Sequence, residues 1–305
     1  MKRTTRFKEL LLSPEILLLP TVPDPLAAKI AKQVGFKAIS CAGYANSAAY
    51  LGAPDVQLMT LSEMVDCAWR IADATDLPVH MDGDNGHGNV TNVIRSLKQF
   101  EKAGVASIFF EDQVSPKRCG HMSGKRVVPA DEFVAKIKAA VDARNDPDLL
   151  IMARTDAVAV KGLDDAIERM HMYLEAGADY AFIEALPTVA EMKRITQEIN
   201  APTIANLVPG GKTPLLSAGE LQDIGFSAVA YPTTLTYAYA KTTRDLLTHL
   251  LRTGSIADVQ DRMIEFTEFN KLVGLEQIRA REEKYYAGVD LEGHTTPGAN
   301  AYAAE

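Results

Sequence analysis

A phrase that recurs along the chain constrains the fold most: an amphipathic run ends at a glycine, and a short apolar run follows. The four clearest copies are "QVGFKAIS", "KAGVASIFFED", "EAGADYAFIEA" and "DIGFSAVAYP", which contain Gly35, Gly104, Gly177 and Gly225. Glycine accepts the left-handed conformation in which helices commonly end, and an apolar run of this length is typical of a strand buried on both faces. The recurring phrase therefore predicts βα units.

The apolar runs predict eight strands, near residues 16–20, 37–42, 78–83, 106–111, 149–154, 180–184, 203–207 and 228–231. Eight strands that alternate with helical segments over about 240 residues match a (β/α)₈ TIM barrel, an α/β fold of roughly 250 residues. A doubly wound open sheet is the alternative fold.

Two more helical patterns, near 255–268 and 270–284, follow the eighth unit. The chain shows no linker, so we expect one domain over residues 1–286. The remaining residues, 287–305, are too poor in apolar periodicity to pack and are expected to form a disordered tail.

Composition excludes several classes of protein. The 305 residues are 47% hydrophobic and 24% charged, which is typical of a soluble globular chain. The net charge of −8 argues against nucleic-acid and membrane-surface partners. No apolar run reaches the roughly 18 to 20 residues of a membrane span. Cys41, Cys67 and Cys119 cannot all pair, and two acids and a proline interrupt the leucine-rich start, so we expect a cytoplasmic protein.

Polar residues follow nearly every predicted strand, where the active site of a barrel lies. Asp82, Asp84 and Glu111 stand at two adjacent strand ends. Three carboxylates so close would repel one another unless a cation lay among them, and oxygen ligands favour Mg²⁺ or Mn²⁺. The alternative is that Asp82 or Asp84 caps the helix that starts near Asn89.

Cationic side chains are expected beside this acid cluster. Lys117, Arg118 and His121 follow the fourth strand, and Arg154 ends the fifth. A metal together with several cations suggests a substrate that carries carboxylates or phosphate. Taken alone, the "PKR" string would be typical of a solvated loop.

Cys119 directly follows two cations, a setting that lowers the pKa of a thiol. Gly120 and Gly124 predict a mobile loop around it. We therefore expect a lid that delivers the thiol to the substrate.

Four motifs, "LGAPD", "DGDNGHGN", "EDQVSPKRCGH" and "ARTDA", occur in this order. Together they resemble the isocitrate lyase and phosphoenolpyruvate mutase superfamily, over roughly residues 5–285. The resemblance implies an enzyme with a (β/α)₈ barrel, a Mg²⁺ cofactor and a 2-oxo or 2-hydroxy acid substrate. It also implies a homotetramer in which the C-terminal helices are exchanged between subunits.

The same resemblance implies roles for individual residues. Asp82 would ligate Mg²⁺, and Asp84, Glu111 and Asp55 would hold it directly or through water. The amides of Tyr44 and Ala45 would bind the carboxylate of a pyruvyl fragment, which Arg154 would neutralise. The second fragment would be surrounded by His121, Glu184, Asn206 and Thr233, with Lys117 and Arg118 as nearby cations and Cys119 as the acid. The base that takes the hydroxyl proton has no candidate, and His87, where the family has Tyr or Phe, is interpreted as filling the same space.

The expected reaction is carbon–carbon cleavage of a 2-alkylmalate, 2,3-dimethylmalate first, to pyruvate and a carboxylic acid. The strings "NLVPGGKTPLL", "GHMSGK" and "FNKLVGLEQIR" are more similar to family members that hold a dicarboxylate, and Met122 suits an alkyl group. The alternatives are cleavage of 2-methylisocitrate to pyruvate and succinate, hydrolysis or decarboxylation of oxaloacetate, and a catalytically silent binding protein. Cys119 argues against phosphorus–carbon bond chemistry.

Overall fold

The computed structural model describes residues 1–287 and 289. Two compact units divide at Thr253 and Gly254 and are described separately. The expected single domain over residues 1–286 stays a prediction. The expected disordered tail, 287–305, lies outside the described residues except for Ala287 and Val289.

A ring of eight parallel strands forms the first unit. The strands are β1 (Leu17–Pro20), β2 (Ile39–Cys41), β3 (Val79–Asp82), β4 (Ser107–Glu111), β5 (Leu150–Thr155), β6 (Tyr180–Ile183), β7 (Ile204–Asn206) and β8 (Ala228–Tyr231). They pair in the orders β2-β3-β4-β5-β6 and β1-β8-β7. Parallel bridges between Thr21 and Ser40 and between Ala181 and Thr203 join the two sheets, so the ring closes. The predicted α/β barrel is confirmed.

Helices connect the strands, and one further helix precedes β1 while another follows β8. They are α1 (Arg3–Leu11), α2 (Pro25–Val34), α3 (Gly43–Asn46), α4 (Leu61–Ala74), α5 (Val90–Lys102), α6 (Ala130–Ala143), α7 (Val158–Lys161), α8 (Leu163–Glu175), α9 (Val189–Glu198), α10 (Ala218–Ile224) and α11 (Thr234–Thr253). A π-helical turn, Ser47–Leu51, extends α3. Gly35 and Gly225 end α2 and α10 with φ of 104° and 110°, as the recurring phrase predicted.

Two apolar layers hold the barrel. The larger lies between the strands and the helices, and the smaller fills the barrel interior and includes Phe7 of α1. Phe7 stacks on the buried ring of His80, with ring centroids 6.0 Å apart. Burial lowers the pKa of His80 to about 4, so the ring is neutral and packs as the aromatic floor beneath the site.

The first regular element of the second unit is a 3₁₀ turn, Gln260–Arg262, and α12 (Phe266–Val273) and α13 (Leu275–Tyr286) follow it. The predicted helix near 255–268 is therefore wrong in extent. Glu265 caps α12 by accepting hydrogen bonds from the amides of Thr267 (2.8 Å) and Glu268 (3.0 Å), which sets the helix start. Gly274, with φ of 94°, separates α12 from α13. Throughout the described residues, no helix has the length and apolar character needed to cross a membrane.

Candidate active site

A cavity of about 60 Å³ opens at the carboxyl ends of the strands. It is lined by Tyr44, Asp55, Asp82, Lys117, Cys119, His121, Arg154, Glu184, Asn206 and Thr233, all of them predicted site residues. These side chains come from loops that are distant in sequence. The parallel barrel brings them together because its strand ends all meet at one rim.

Four predicted residues do not line the cavity. Ala45 is buried in α3, while Asp84 and Glu111 are buried where they contact Lys117 and Arg154. Arg118 is exposed and donates to the carbonyl of Ser123 (3.2 Å).

The side chain of Gln113 explains the outward direction of Arg118. Its Nε2 donates a hydrogen bond to the carbonyl of Arg118 (2.8 Å), and its Oε1 accepts one from the N–H of Arg118 (3.1 Å). These two bonds hold the backbone of Arg118 against the barrel. Met122 lies on the same outer face, beside Val56 and Pro116 rather than in the cavity. The structure therefore does not place Arg118 or Met122 where they would contact a substrate in the cavity.

Lys117 occupies the centre of the acid cluster. Its Nζ lies 2.7 Å from Asp55 Oδ1 and 2.8 Å from Asp84 Oδ1, and its side chain is only 3% exposed. The cation that the sequence required among the acids is thus supplied in part by the chain itself. Burial alone would lower the pKa of Lys117, but the surrounding acids, which include Asp82 and Glu111, raise it. Negative charge therefore still exceeds positive charge around Lys117.

Asp82 organises the end of β3. Its Oδ1 accepts the amide of Asp84 and its Oδ2 accepts the amide of Gly43, both at 2.9 Å. The capping alternative is wrong, because α5 is capped by Asn89, which accepts the amide of Thr91 at 3.0 Å. Neither Asp82 nor Asp84 caps α5.

The acid cluster fits a divalent cation. Burial raises the pKa of Asp84 to about 7, although Lys117 opposes the shift, and burial raises the pKa of Glu111 well above its usual range. Oε1 of Glu111 is buried without a hydrogen-bond partner. A divalent cation bound here would be stabilised by the carboxylate oxygens, which are the type of ligand that Mg²⁺ and Mn²⁺ prefer. Within residues 1–287 and 289, no three acids, histidines or cysteines are already arranged as a metal-ligand set. Metal binding would therefore require some of the carboxylates that now contact Lys117 to turn towards the metal.

His87 follows this cluster with a left-handed backbone, φ of 59°. Its Nε2 is buried without a hydrogen-bond partner, and burial lowers its pKa. The ring is therefore neutral near pH 7. Its space-filling role stays a prediction.

Arg154 lies against the wall formed by β4 to β6. Its Nε is 2.9 Å from Asp156 Oδ2 and 3.3 Å from Glu111 Oε2, and its guanidinium lies 4.9 Å from the ring centroid of Phe182. Asp156 was missed from the sequence. Its position two residues after Arg154, one residue beyond β5, was the available signal, since alternate residues of an extended chain share a face.

His121 and Glu184 meet across the cavity. Nε2 of His121 lies 2.9 Å from Oε1 of Glu184, a close electrostatic contact rather than an aligned hydrogen bond. Nδ1 of His121 accepts the backbone N–H of Lys212 (3.1 Å), so the proton of the neutral ring resides on Nε2. Asn206 donates to Glu184 Oε2 at 3.2 Å.

The environment of Cys119 contradicts the expected low pKa. Burial raises the pKa of this thiol to about 11, and Asp55 and Glu184 add to the rise. The two cations that precede it in sequence do not lower the pKa, because Lys117 is held by the acids and Arg118 faces solvent. A thiol that stays protonated at neutral pH can act as a proton donor in the cavity.

Gly120 brings the loop that carries Cys119 close to the cavity wall. A Cβ added at Gly120 would collide with Arg154 and lie 2.5 Å from Cγ of Glu184. Only a glycine permits this approach.

We expect Gly120→Ala to fold but to lower kcat/KM by about a hundredfold, because small displacements of reacting groups have effects of that size. Steady-state kinetics and circular dichroism test this. Gly219→Ala is the matched control: nothing lies within 4 Å of its Cβ position in α10, and alanine favours a helix. Full activity of Gly120→Ala would contradict the close approach.

A closed α/β barrel that gathers carboxylates, buried cations and a protonated thiol in one cavity has the architecture of an enzyme active site. Comparisons with known proteins then identify its family. A family model described as phosphoenolpyruvate phosphomutase matches residues 7–251. The chain belongs to this family, within the phosphoenolpyruvate mutase and isocitrate lyase superfamily.

Similar proteins are named for several reactions. The chain is 47% identical to 2,3-dimethylmalate lyase of Eubacterium barkeri over 94% of its own length and 100% of that protein. It is 40% identical to "Probable 2-methylisocitrate lyase 2" of Corynebacterium glutamicum, covering 93% of this chain and 92% of that one. A solved phosphonopyruvate hydrolase complex with oxalate and Mg²⁺ superposes with a TM-score of 0.85 at 30% identity, covering 93% and 99% of the two chains.

Proposed function

We propose that this chain is a Mg²⁺-dependent carbon–carbon lyase, with Mn²⁺ as a possible substitute, that cleaves a 2-alkylmalate. The preferred substrate is 2,3-dimethylmalate, and the products are pyruvate and propionate. The observation that carries the proposal is the placement of a protonated Cys119 thiol in one cavity with Arg154, Asp55 and Asp82. The similarity to 2,3-dimethylmalate lyase over nearly the whole chain supports the choice of substrate.

The acid cluster would hold the metal through Asp82, with Asp84, Glu111 and Asp55 as further ligands or partners of its waters. Bound there, the metal would lower the pKa of the substrate hydroxyl and so favour its ionisation near neutral pH. Lys117 would stay beside the acids and limit their mutual repulsion.

Arg154 would bind the carboxylate that becomes part of pyruvate. Its guanidinium is already oriented by Asp156 and by the ring of Phe182. The amides of Tyr44 and Ala45 stand in the first turn of α3, where amides lack helical partners and can bind an anion. His121, Glu184, Asn206 and Thr233 would contact the second fragment.

Cys119 would complete the reaction as the acid. When the bond between C2 and C3 breaks, the hydroxyl of C2 gives its proton to solvent and becomes the carbonyl of pyruvate. The electron pair of the broken bond passes to the other fragment, an enediolate. The Sγ–H of Cys119 then gives its proton to C3, which yields propionate, and solvent returns a proton to the thiolate.

Charge in the cavity favours a dicarboxylate over a tricarboxylate. Among the described residues that line the cavity, Lys117 and Arg154 carry fixed positive charge, but Lys117 is held by Asp55 and Asp84, so Arg154 and the bound metal would face the substrate carboxylates. Lys125 is buried against Asp156, and Lys212 and Arg118 are exposed. A third carboxylate would lack a matching cation, although the 40% identity to a probable 2-methylisocitrate lyase keeps 2-methylisocitrate as the second candidate.

Purified protein with Mg²⁺ should be offered 2,3-dimethylmalate, 2-methylisocitrate and oxaloacetate separately, with pyruvate and oxalate measured. We expect the highest kcat/KM for 2,3-dimethylmalate, with pyruvate as product. A much higher value for 2-methylisocitrate would reject the dicarboxylate but keep the lyase. Oxalate as the main product would reject the reaction type, and no turnover of any acid would favour a binding protein.

We also propose a homotetramer in which the C-terminal helices are exchanged between subunits, acting in the cytoplasm. No residue of the 20-residue helix α11 is buried in the isolated chain, and Tyr239 and Leu251 are 71% and 90% exposed. Such a face needs a partner.

In analytical ultracentrifugation, we expect the wild type to sediment as a tetramer. The double variant Leu247→Glu, Leu251→Glu should sediment as smaller species. A monomeric wild type would contradict the proposal.

A further inference from the structure

One buried ion pair joins the loop of Cys119 to the anchor of Arg154. Lys125 lies in the loop after β4, with a side chain only 2% exposed. Its Nζ donates to the carbonyl of Gly120 and, at 2.7 Å, to Oδ1 of Asp156. Gly120 immediately follows Cys119, so this ammonium group holds the peptide next to the thiol.

Asp156 shares its carboxylate between two cations. Oδ2 accepts from Nε of Arg154 at 2.9 Å, and Oδ1 accepts both from Arg154 Nη2 (3.2 Å) and from Lys125. Its side chain is fully buried. Burial alone would raise the pKa of Asp156, but Arg154 and Lys125 outweigh burial and lower it, so the carboxylate stays ionised and both ion pairs persist.

The backbone of Asp156 is itself held in place by Asp112. Its amide donates to Oδ1 of Asp112 (3.0 Å), and Oδ2 of Asp112 accepts from Thr155 (2.7 Å) and Tyr173 (2.9 Å). Asp112 directly follows β4, Thr155 ends β5 and Tyr173 lies in α8, so all three are anchored by regular elements of the barrel. The carboxylate of Asp156 is therefore a fixed reference point from which both cations are positioned.

We propose that Lys125 and Asp156 form a positioning clamp that sets the Cys119 thiol and the Arg154 guanidinium at a fixed separation. This inference rests on the proposed function, since it assigns the clamp to the acid and to the carboxylate-binding cation of that reaction. Neither Lys125 nor Asp156 lines the cavity, so both act through the residues they hold. The clamp keeps the loop closed over the substrate, and opening it requires separating a buried ion pair.

Lys125→Met tests the clamp, since methionine fills similar space without the charge. The first readout is the rate at which iodoacetamide alkylates Cys119 without substrate, followed by peptide mass spectrometry over a range of pH. Cys41 and Cys67 are buried and report general unfolding in the same sample. We expect Cys119 alkylation to rise at least about tenfold at every pH, since a buried charged hydrogen bond is lost, with Cys41 and Cys67 unchanged.

Measurements of kcat and KM distinguish the roles of Lys125 and Asp156. Lys125→Met should lower kcat with little change in KM, because it releases the loop of the thiol. Asp156→Asn should lower kcat and also raise KM, because Arg154 loses its anchor. Lys37→Met is the control, since Lys37 forms an exposed pair with Glu15 (2.7 Å), and it should match the wild type in every readout.

Three results would overturn the clamp: unchanged alkylation and kcat in Lys125→Met, equal acceleration at all three cysteines, or an alkylation profile that only shifts along the pH axis. The alkylation measurement does not depend on the substrate. If the wild type cleaved none of the acids, the proposed function would fail, while the contrast at Cys119 would still decide whether the clamp holds the loop.

Discussion

Replacing Cys119 with serine is expected to lower kcat by about two to four orders of magnitude, the usual contribution of a general acid. Serine nearly matches the volume of cysteine, so the cavity keeps its shape. Its hydroxyl, however, is a much weaker acid than a thiol, even one whose pKa burial has raised to about 11. Substrate binding does not need the proton, so KM should change little.

Steady-state kinetics with 2,3-dimethylmalate measure this effect, and circular dichroism checks the fold. Cys67→Ser is the matched control: Cys67 is a buried cysteine of α4 in the outer apolar layer, away from the cavity. It should lose some stability but keep its kcat. Near-normal turnover by Cys119→Ser would remove the thiol from the mechanism.

Replacing Asp82 with asparagine is expected to abolish turnover and to weaken Mn²⁺ binding by more than about a hundredfold, since even outer partners of metal ligands contribute ten- to a hundredfold. The change removes the charge, while the amide oxygen can still accept one of the two hydrogen bonds from Gly43 and Asp84. Electron paramagnetic resonance of Mn²⁺ measures binding without relying on activity.

Asp76→Asn is the control for the same chemical change. Asp76 forms a surface pair with Lys32 (2.7 Å), and its side chain is 64% exposed. This variant should bind Mn²⁺ and turn over like the wild type. In the wild type, exhaustive chelation should stop turnover, and added Mg²⁺ should restore it. Full activity after chelation would refute the metal requirement.

Local sequence was sufficient to predict the barrel. Each strand is an apolar run, and four of the eight, β2, β4, β6 and β8, follow a helix-ending glycine. Both signals act over a few residues, so all eight strands lie within a few residues of their predicted bounds. The location of the site followed from the same pattern, because parallel strands place every following loop at one rim. The helix near 255–268 was misplaced because its true start depends on the side chain of Glu265.

Side-chain directions and ionisation were decided by the tertiary structure. Lys117 and Arg118 are adjacent in sequence but point in opposite directions. Arg118 faces solvent because Gln113 holds its backbone, whereas Lys117 enters the acid cluster. The partnership of Asp156 with Lys125 joins two loops that no local pattern relates. The cations beside Cys119 in sequence predicted a low thiol pKa, yet burial raised it, because a pKa depends on the groups and solvent that surround an atom in space. The sequence by itself determined which residues reach the rim of the barrel, since strand and helix signals are local. Only the folded chain decided which of those residues face one another, because contacts between loops are long-range.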